Sequence, residues 1–255
     1  HYGWKANLTS ALTYLNHPID LYVLGAVALA THLGRGAPKE VADDLSMAQV
    51  AFYSMAVTWA ELVWHFPEAM RDLFFSKVAG SSHEQARQLT PVLSRLGLLL
   101  SLAGALAVVL VLDPAMATVT WLAYGSSDRW FAEWSPQVSQ ALWLLVPGTA
   151  AYTVSKVLQA DLAARNHLQT CVNAQLVVLV SMLACDLLWI PAHGASGAAA
   201  ASTVAYVLGT AYALYAYGRQ TGISAWRCLL VHASDFRYIR DIVGGVLGKL
   251  RGRKA

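Results

Sequence analysis

Charge is scarce in this sequence. Only 13% of its 255 residues are Asp, Glu, Lys or Arg and 56% are hydrophobic, where a soluble domain carries roughly 25% charged residues. With a mean hydropathy of +0.45, water cannot be the main solvent of this chain. Cysteine is sparse too: Cys171, Cys185 and Cys228 form no C-x-x-C pair and lie in or beside apolar runs. That excludes a disulfide framework and a zinc ribbon, and the three read as small hydrophobes. The nucleotide-cradling G-x-x-x-x-G-K-[ST], the zinc-binding H-E-x-x-H and the G-x-S-x-G nucleophile elbow are all missing. No enzymatic activity and no cofactor is expected, and any transport would draw on ion or substrate gradients or on a partner. His17, His65, His83 and His193 are too scattered for a metal site. No basic, aromatic-interleaved surface for nucleic acid appears, and the first apolar block is too long and too polar in its middle for a secretory signal.

What the chain does have is six apolar blocks, at 8–33, 48–75, 92–112, 138–162, 168–190 and 197–217, spans A to F. A bilayer core needs about 20 helical residues per crossing. Unpaired backbone cannot face lipid, and the blocks lack the strict alternation of a barrel strand, so each is expected to be helical. The fold class is therefore all-α, a polytopic membrane bundle of six transmembrane helices over 1–222, followed by a tail over 223–255. The stretch 113–136, interrupted by Pro114 and by Gly125, Ser126, Ser127 and Asp128, is expected at the membrane interface. Alternate links divide Lys and Arg between two sides, and fifteen of the eighteen fall on one of them. Leaving out Arg71 and Lys156, which sit inside spans, thirteen remain against three. The positive-inside rule then places both termini and the links 76–91 and 161–167 in the cytoplasm, with 34–47 and 113–136 outside. In the tail, Trp226, Leu229, Leu230, Phe236, Ile239, Val243 and Val246 recur at near-helical spacing among basic residues, a pattern suited to a helix lying on anionic membrane lipids or, alternatively, to a frayed basic end.

Polar groups inside the spans carry most of the functional information, because a charged side chain facing lipid at mid-bilayer costs about 2.5–3.5 kcal/mol on insertion scales. On span A, Thr9, Thr13, Asn16/His17 and Asp20 recur every three or four residues, with Pro18 predicting a kink beside the acid. On span B, Ser54, Thr58, Glu61, His65, Glu68 and Asp72 hold one helix face, opposite Phe52, Met55, Val63, Phe66 and Phe74. Span D adds Thr149, Thr153, Lys156 and Gln159. Two readings stay open: polar glue between helices, such as a Glu61–Lys156 ion pair, or the wall of a water-filled pathway. Lys156 either faces that pathway or snorkels to the headgroups. The candidate pathway residues are Asn16, Asp20, Glu61, His65, Arg71 and Lys156. The small residues from Gly194 to Ser202 at the start of span F predict close helix packing.

These features resemble a family. Span A ending in Asp20, the Phe52-Tyr53-Ser54-Met55-Ala56-Val57 opening of span B, Phe66-Pro67-Glu68-Ala69-Met70 and Phe75-Ser76-Lys77-Val78-Ala79 follow one another in its order. Leu145-Val146-Pro147-Gly148, Lys156-Val157-Leu158, Trp189-Ile190-Pro191-Ala192-His193-Gly194 and Gly197-Ala198-Ala199-Ala200-Ala201-Ser202 complete the match. The chain is similar over nearly its whole length to Wzx-type O-antigen and polysaccharide flippases of the multidrug/oligosaccharidyl-lipid/polysaccharide exporter superfamily. The resemblance implies the second six-helix lobe of a two-lobe transporter in a bacterial inner membrane, its partner being a first lobe or a second copy. It implies alternating access, with an undecaprenyl-diphosphate-linked oligosaccharide as substrate for surface polysaccharide or lipopolysaccharide biosynthesis. The links 34–47 and 113–136 are longer than the family pattern, and the diphosphate calls for more positive charge than Arg71 and Lys156 supply beside Asp20 and Glu61. The alternatives are a cation-coupled drug or metabolite antiporter of the same superfamily, a membrane glycan polymerase or ligase, which would need large outer loops, and a membrane scaffold without transport.

Overall fold

The computed structural model describes residues 2–79, 83–128 and 130–230, with the side chains at 2, 6, 17, 18, 64–79 and 83–88 outside the description. Among the described residues the chain is helical throughout: α1 (Tyr2–Gly34), α2 (Lys39–Ala79), α3 (His83–Tyr124), α4 (Ser135–Ala164), α5 (Leu168–His193), α6 (Ala195–Thr221) and the short α7 (Ala225–Leu229). Each of the six apolar blocks falls within one long helix. Among the described residues four stretches are long and apolar enough to cross a membrane, at Leu89–Tyr124, Trp130–Ala164, Leu168–His193 and Ala195–Thr221, and within α1 the stretch Ile19–Gly34 is apolar but shorter.

Two link lengths need correction. The 34–47 connection shrinks to residues 35–38, because the polar segment that follows is the first part of α2. Its start is favoured by Pro38 just before the helix and by Glu40, Asp43 and Asp44, whose charges suit a helix N-terminus. Gly36, at φ +83°, makes the turn. In the 113–136 segment Pro114 does not end the helix, and α3 runs on to Tyr124 before Gly125 breaks it at φ +73°. The apolar residues after Pro114 keep the remaining backbone bonds, at the cost of the one the proline cannot donate. At 41 and 42 residues, α2 and α3 are each about 60 Å long at 1.5 Å per residue, twice the roughly 30 Å hydrocarbon core. The loop after α3 folds back onto it: Asp113 Oδ1 accepts from Trp130 Nε1 at 3.2 Å and from Ser135 Oγ at 2.7 Å.

α1 packs on α2 and α5, α5 on α6, α6 on α4 and α4 on α2, which closes a ring of five helices, while α3 flanks it against α2 and α4. The small-residue run at the start of α6 does bring backbones together: a Cβ on Gly197 would stand 2.6 Å from the Trp189 carbonyl oxygen. A Cβ on Gly148 would stand 2.5 Å from the Thr203 Cα, and one on Gly209 would collide with the Val178 side chain. Thr203 Oγ1 donates to the Leu144 carbonyl across the same α4–α6 contact. On the outside, α3 exposes Leu102, Leu106, Leu110 and Leu122, a surface that water would penalise and lipid accommodates.

The links gather at two ends, as an up-and-down bundle requires. At one end Arg35 donates to the Pro191 carbonyl at 2.9 Å. At the other, the turn after α4 passes through Asn166 at φ +66°, and Gly222 caps α6 at φ +71°. There Arg95 donates to the Arg227 carbonyl at 2.7 Å, and α7 seats Cys228 among Leu162, Tyr217 and Ile223. The tail beyond 230 lies outside the described residues.

Candidate functional site

Inside the ring, polar side chains collect along the seam of α1 and α5. Asp20, 2% exposed, accepts a hydrogen bond from the Tyr53 hydroxyl at 2.5 Å, while Ser202 Oγ stands 3.3 Å from the same carboxylate oxygen and 2.9 Å from Tyr53. Three helices thus converge on one acid. The other oxygen of Asp20 accepts the Leu21 backbone N–H at 2.8 Å.

One turn before Asp20, Asn16 donates to Gln175 Oε1 at 3.0 Å, and the Tyr152 hydroxyl donates to that same oxygen at 3.0 Å. Gln175 Nε2 donates to Gln159 Oε1 at 3.0 Å, and Gln159 Nε2 donates to Ser155 Oγ at 2.8 Å. A ladder of amides therefore ties α1, α4 and α5, and all of these amides are buried. Beside it lies a cavity of about 210 Å³, whose wall includes Thr9, Thr13, Lys156, Gln159, Cys171 and Gln175. The Lys156 ammonium stands 5.9 Å from the centre of the Tyr152 ring. That ring stacks at 4.7 Å on Tyr206, a phenol within electrostatic reach of Asp20, Glu61 and Asp186.

Asp186 on α5 is fully buried, and neither of its carboxylate oxygens has a hydrogen-bond partner among the described residues. It lies within electrostatic reach of Asp20. Asn16 Oδ1 is a third buried oxygen without a donor. Leaving a buried acceptor unpaired costs about 1–3 kcal/mol, and more when it is charged.

Of the six sequence candidates, three are brought together in this interior. Asn16, Asp20 and Lys156 belong to this interior, Asn16 through Gln175 and Lys156 through the cavity wall. Glu61 is half-buried on α2. On the same face Thr58 is exposed, its hydroxyl donating to the Ser54 carbonyl at 2.8 Å. The opposite face of α2 buries Tyr53, Ala56, Ala60 and Val63. The polar stripe of α1 thus points into the ring, whereas on the described part of the α2 stripe Thr58 is exposed, Ser54 is half-buried, and Glu61 lies at the edge within electrostatic reach of Tyr206. The side chains of His65 and Arg71 lie outside the described residues. The sequence reading missed Asp186, Gln175, Tyr53 and Ser202. Asp186 and Gln175 are eleven residues apart, three helical turns, and so share a face, but the apolar Val178 and Met182 interrupt the pattern between them.

No protein-family model, no curated protein and no solved structure matches this chain.

Proposed function

We propose that the chain is an ion-coupled membrane translocase, one six-helix lobe of a flippase that moves polyprenyl-diphosphate-linked oligosaccharide across a bacterial inner membrane. The observation that carries the transport reading is Asp186, fully buried with neither carboxylate oxygen hydrogen-bonded among the described residues. Acids inside a membrane bundle mark ion or proton pathways far more often than they serve packing. A scaffold has no use for a carboxylate that destabilises it. Cation binding at this seam, alternating with release, would supply the energy that the missing nucleotide site does not.

The exposed polar face of α2 supports the second part. Thr58 is exposed and Ser54 half-buried on the side of α2 opposite Tyr53, Ala56 and Ala60, where a second six-helix lobe would close a central hydrophilic passage, with Glu61 at the border between that passage and the ring. The oligosaccharide substrate rests on the resemblance of the residues quoted above. A cation-coupled drug antiporter of the same superfamily would use the same carboxylates, so the substrate is what an experiment must separate. In cells lacking the intact protein, lipid-linked oligosaccharide should accumulate on the cytoplasmic leaflet and surface glycan should disappear. Unchanged surface glycan together with heightened drug sensitivity would favour the antiporter.

A further inference from the structure

We infer that the cavity between α1, α4 and α5 is a water-accessible vestibule for a small monovalent cation, and that Gln175 is the gate between it and the buried carboxylates. This inference rests on the ion-coupled reading above and names how its site is reached.

Three observations place the gate. Gln175 lines the cavity on one side and bonds Asn16 on the other, one turn from Asp20. Its carbonyl oxygen accepts from both Asn16 and Tyr152, and its amide donates to Gln159, so one buried side chain holds α1 and α4 to α5. Beyond it stands Asn16 Oδ1, an open acceptor one turn from Asp20, and three turns further along α5, past the buried Val178 and Met182, both oxygens of Asp186 are open as well. An amide neither carries charge nor relays a proton readily. While this ladder is intact the cavity and the buried acids are separate compartments, and turning the Gln175 side chain opens the cavity toward Asp20 with Asn16 Oδ1 as the first ligand on the way in, Asp186 lying deeper along α5. The groups facing this path are Asp20 from α1, Tyr53 and Glu61 from α2, Tyr152 and Lys156 from α4, Asp186 from α5 and Tyr206 from α6. Lys156 at the cavity wall is a positive charge that a metal cation must pass, whereas a proton can be handed along hydrogen-bonded water and hydroxyls.

The cavity carries its own reporter in Cys171. In the intact protein with Cys185 and Cys228 replaced by serine, a small charged methanethiosulfonate should modify Cys171. No modification at any pH would show a dry cavity and overturn the inference. In vesicles, Gln175→Ala should dissipate an imposed pH or Na⁺ gradient several-fold faster than the parent, and the gradient that collapses identifies the cation. The leak should vanish in Gln175→Ala, Asp186→Asn. A leak that persists in the double variant bypasses the carboxylates and overturns the gate. Should Gln175→Ala fail to accumulate in the membrane, Asn16→Ala removes a single rung and should leak in the same direction; a tight Asn16→Ala vesicle would then count against the gate. Loss of glycan export in Asp186→Asn alongside tight Gln175→Ala vesicles would reject the gate and leave the ion-coupled translocase standing.

Discussion

Asp186 is a carboxylate with both oxygens buried and no donor, and its side chain can only cost the fold stability. Two substitutions separate that cost from its use. Asp186→Leu should raise the melting temperature in detergent, because an apolar side chain replaces a desolvated acid. It should also abolish transport, as should the isosteric Asp186→Asn, by tenfold or more at unchanged membrane abundance. Transport that survives Asp186→Leu would make the residue a passenger. Asp20 was legible in the sequence, since it ends a stripe of polar residues at helical spacing. Asp186 was not legible, because the apolar Val178, Met182, Trp189 and Ile190 surround it along that face and leave no polar stripe at helical spacing. A solitary ionisable residue inside an apolar block carries the same meaning as a stripe. Cys228, beyond the last crossing helix, supplies a second test at this scale. Burial lifts its thiol to about 11, against the opposing pull of the Arg95 guanidinium. Maleimide labelling at pH 8 should therefore be slow compared with that of the unfolded chain. Because the folded value lies above the unfolded one, its contribution to stability is complete below about pH 9 and is lost as pH rises through about 11. Fast labelling at pH 8 would show that α7 does not dock.

At the scale of the helix, two exposed faces make opposite predictions. Thr58 on α2 and Leu106 on α3 are both exposed, but the account assigns one to a watery passage and the other to lipid. With the native cysteines removed, Thr58→Cys should react with a charged, impermeant thiol reagent, and Leu106→Cys should react only with a lipid-soluble one. Equal reactivity of the two would erase the distinction. The α4–α6 contact is tested at Gly148, where a Cβ would stand 2.5 Å from the Thr203 backbone. Gly148→Val should lower unfolding stability in detergent by about 1–3 kcal/mol through overpacking, and no change would mean that the two helices are further apart. The small residues at the start of α6 announced the close approach of Gly197 to the Trp189 backbone, whereas the Gly148–Thr203 contact lies outside that run. Helix ends were harder to read. Lys39 to Met47 is polar enough to look like a loop, yet it suits the acidic first turns of a helix, and Pro114 looked like a break that the helix in fact absorbs.

At the scale of the whole molecule, the all-helical class and the long apolar helices follow directly from block length and low charge. The inward seam does not, because it depends on which faces of α1, α4, α5 and α6 meet, and periodicity within one helix cannot specify its neighbours. The resemblance to flippases supplies a direction of transport and a substrate, and both can be measured together. The intact protein, purified from native membranes, would be reconstituted into liposomes holding a fluorescent polyprenyl-diphosphate oligosaccharide. Access of an external glycosidase to the sugar reports each molecule that has crossed. The account predicts that sugar exposure exceeds that of protein-free liposomes, accelerates under an imposed cation gradient, and falls to the protein-free rate in Asp20→Asn and Asp186→Asn. Flipping indifferent to the gradient and to both substitutions would contradict it, as would a protein that exchanges cations for drugs while the oligosaccharide stays on its own leaflet.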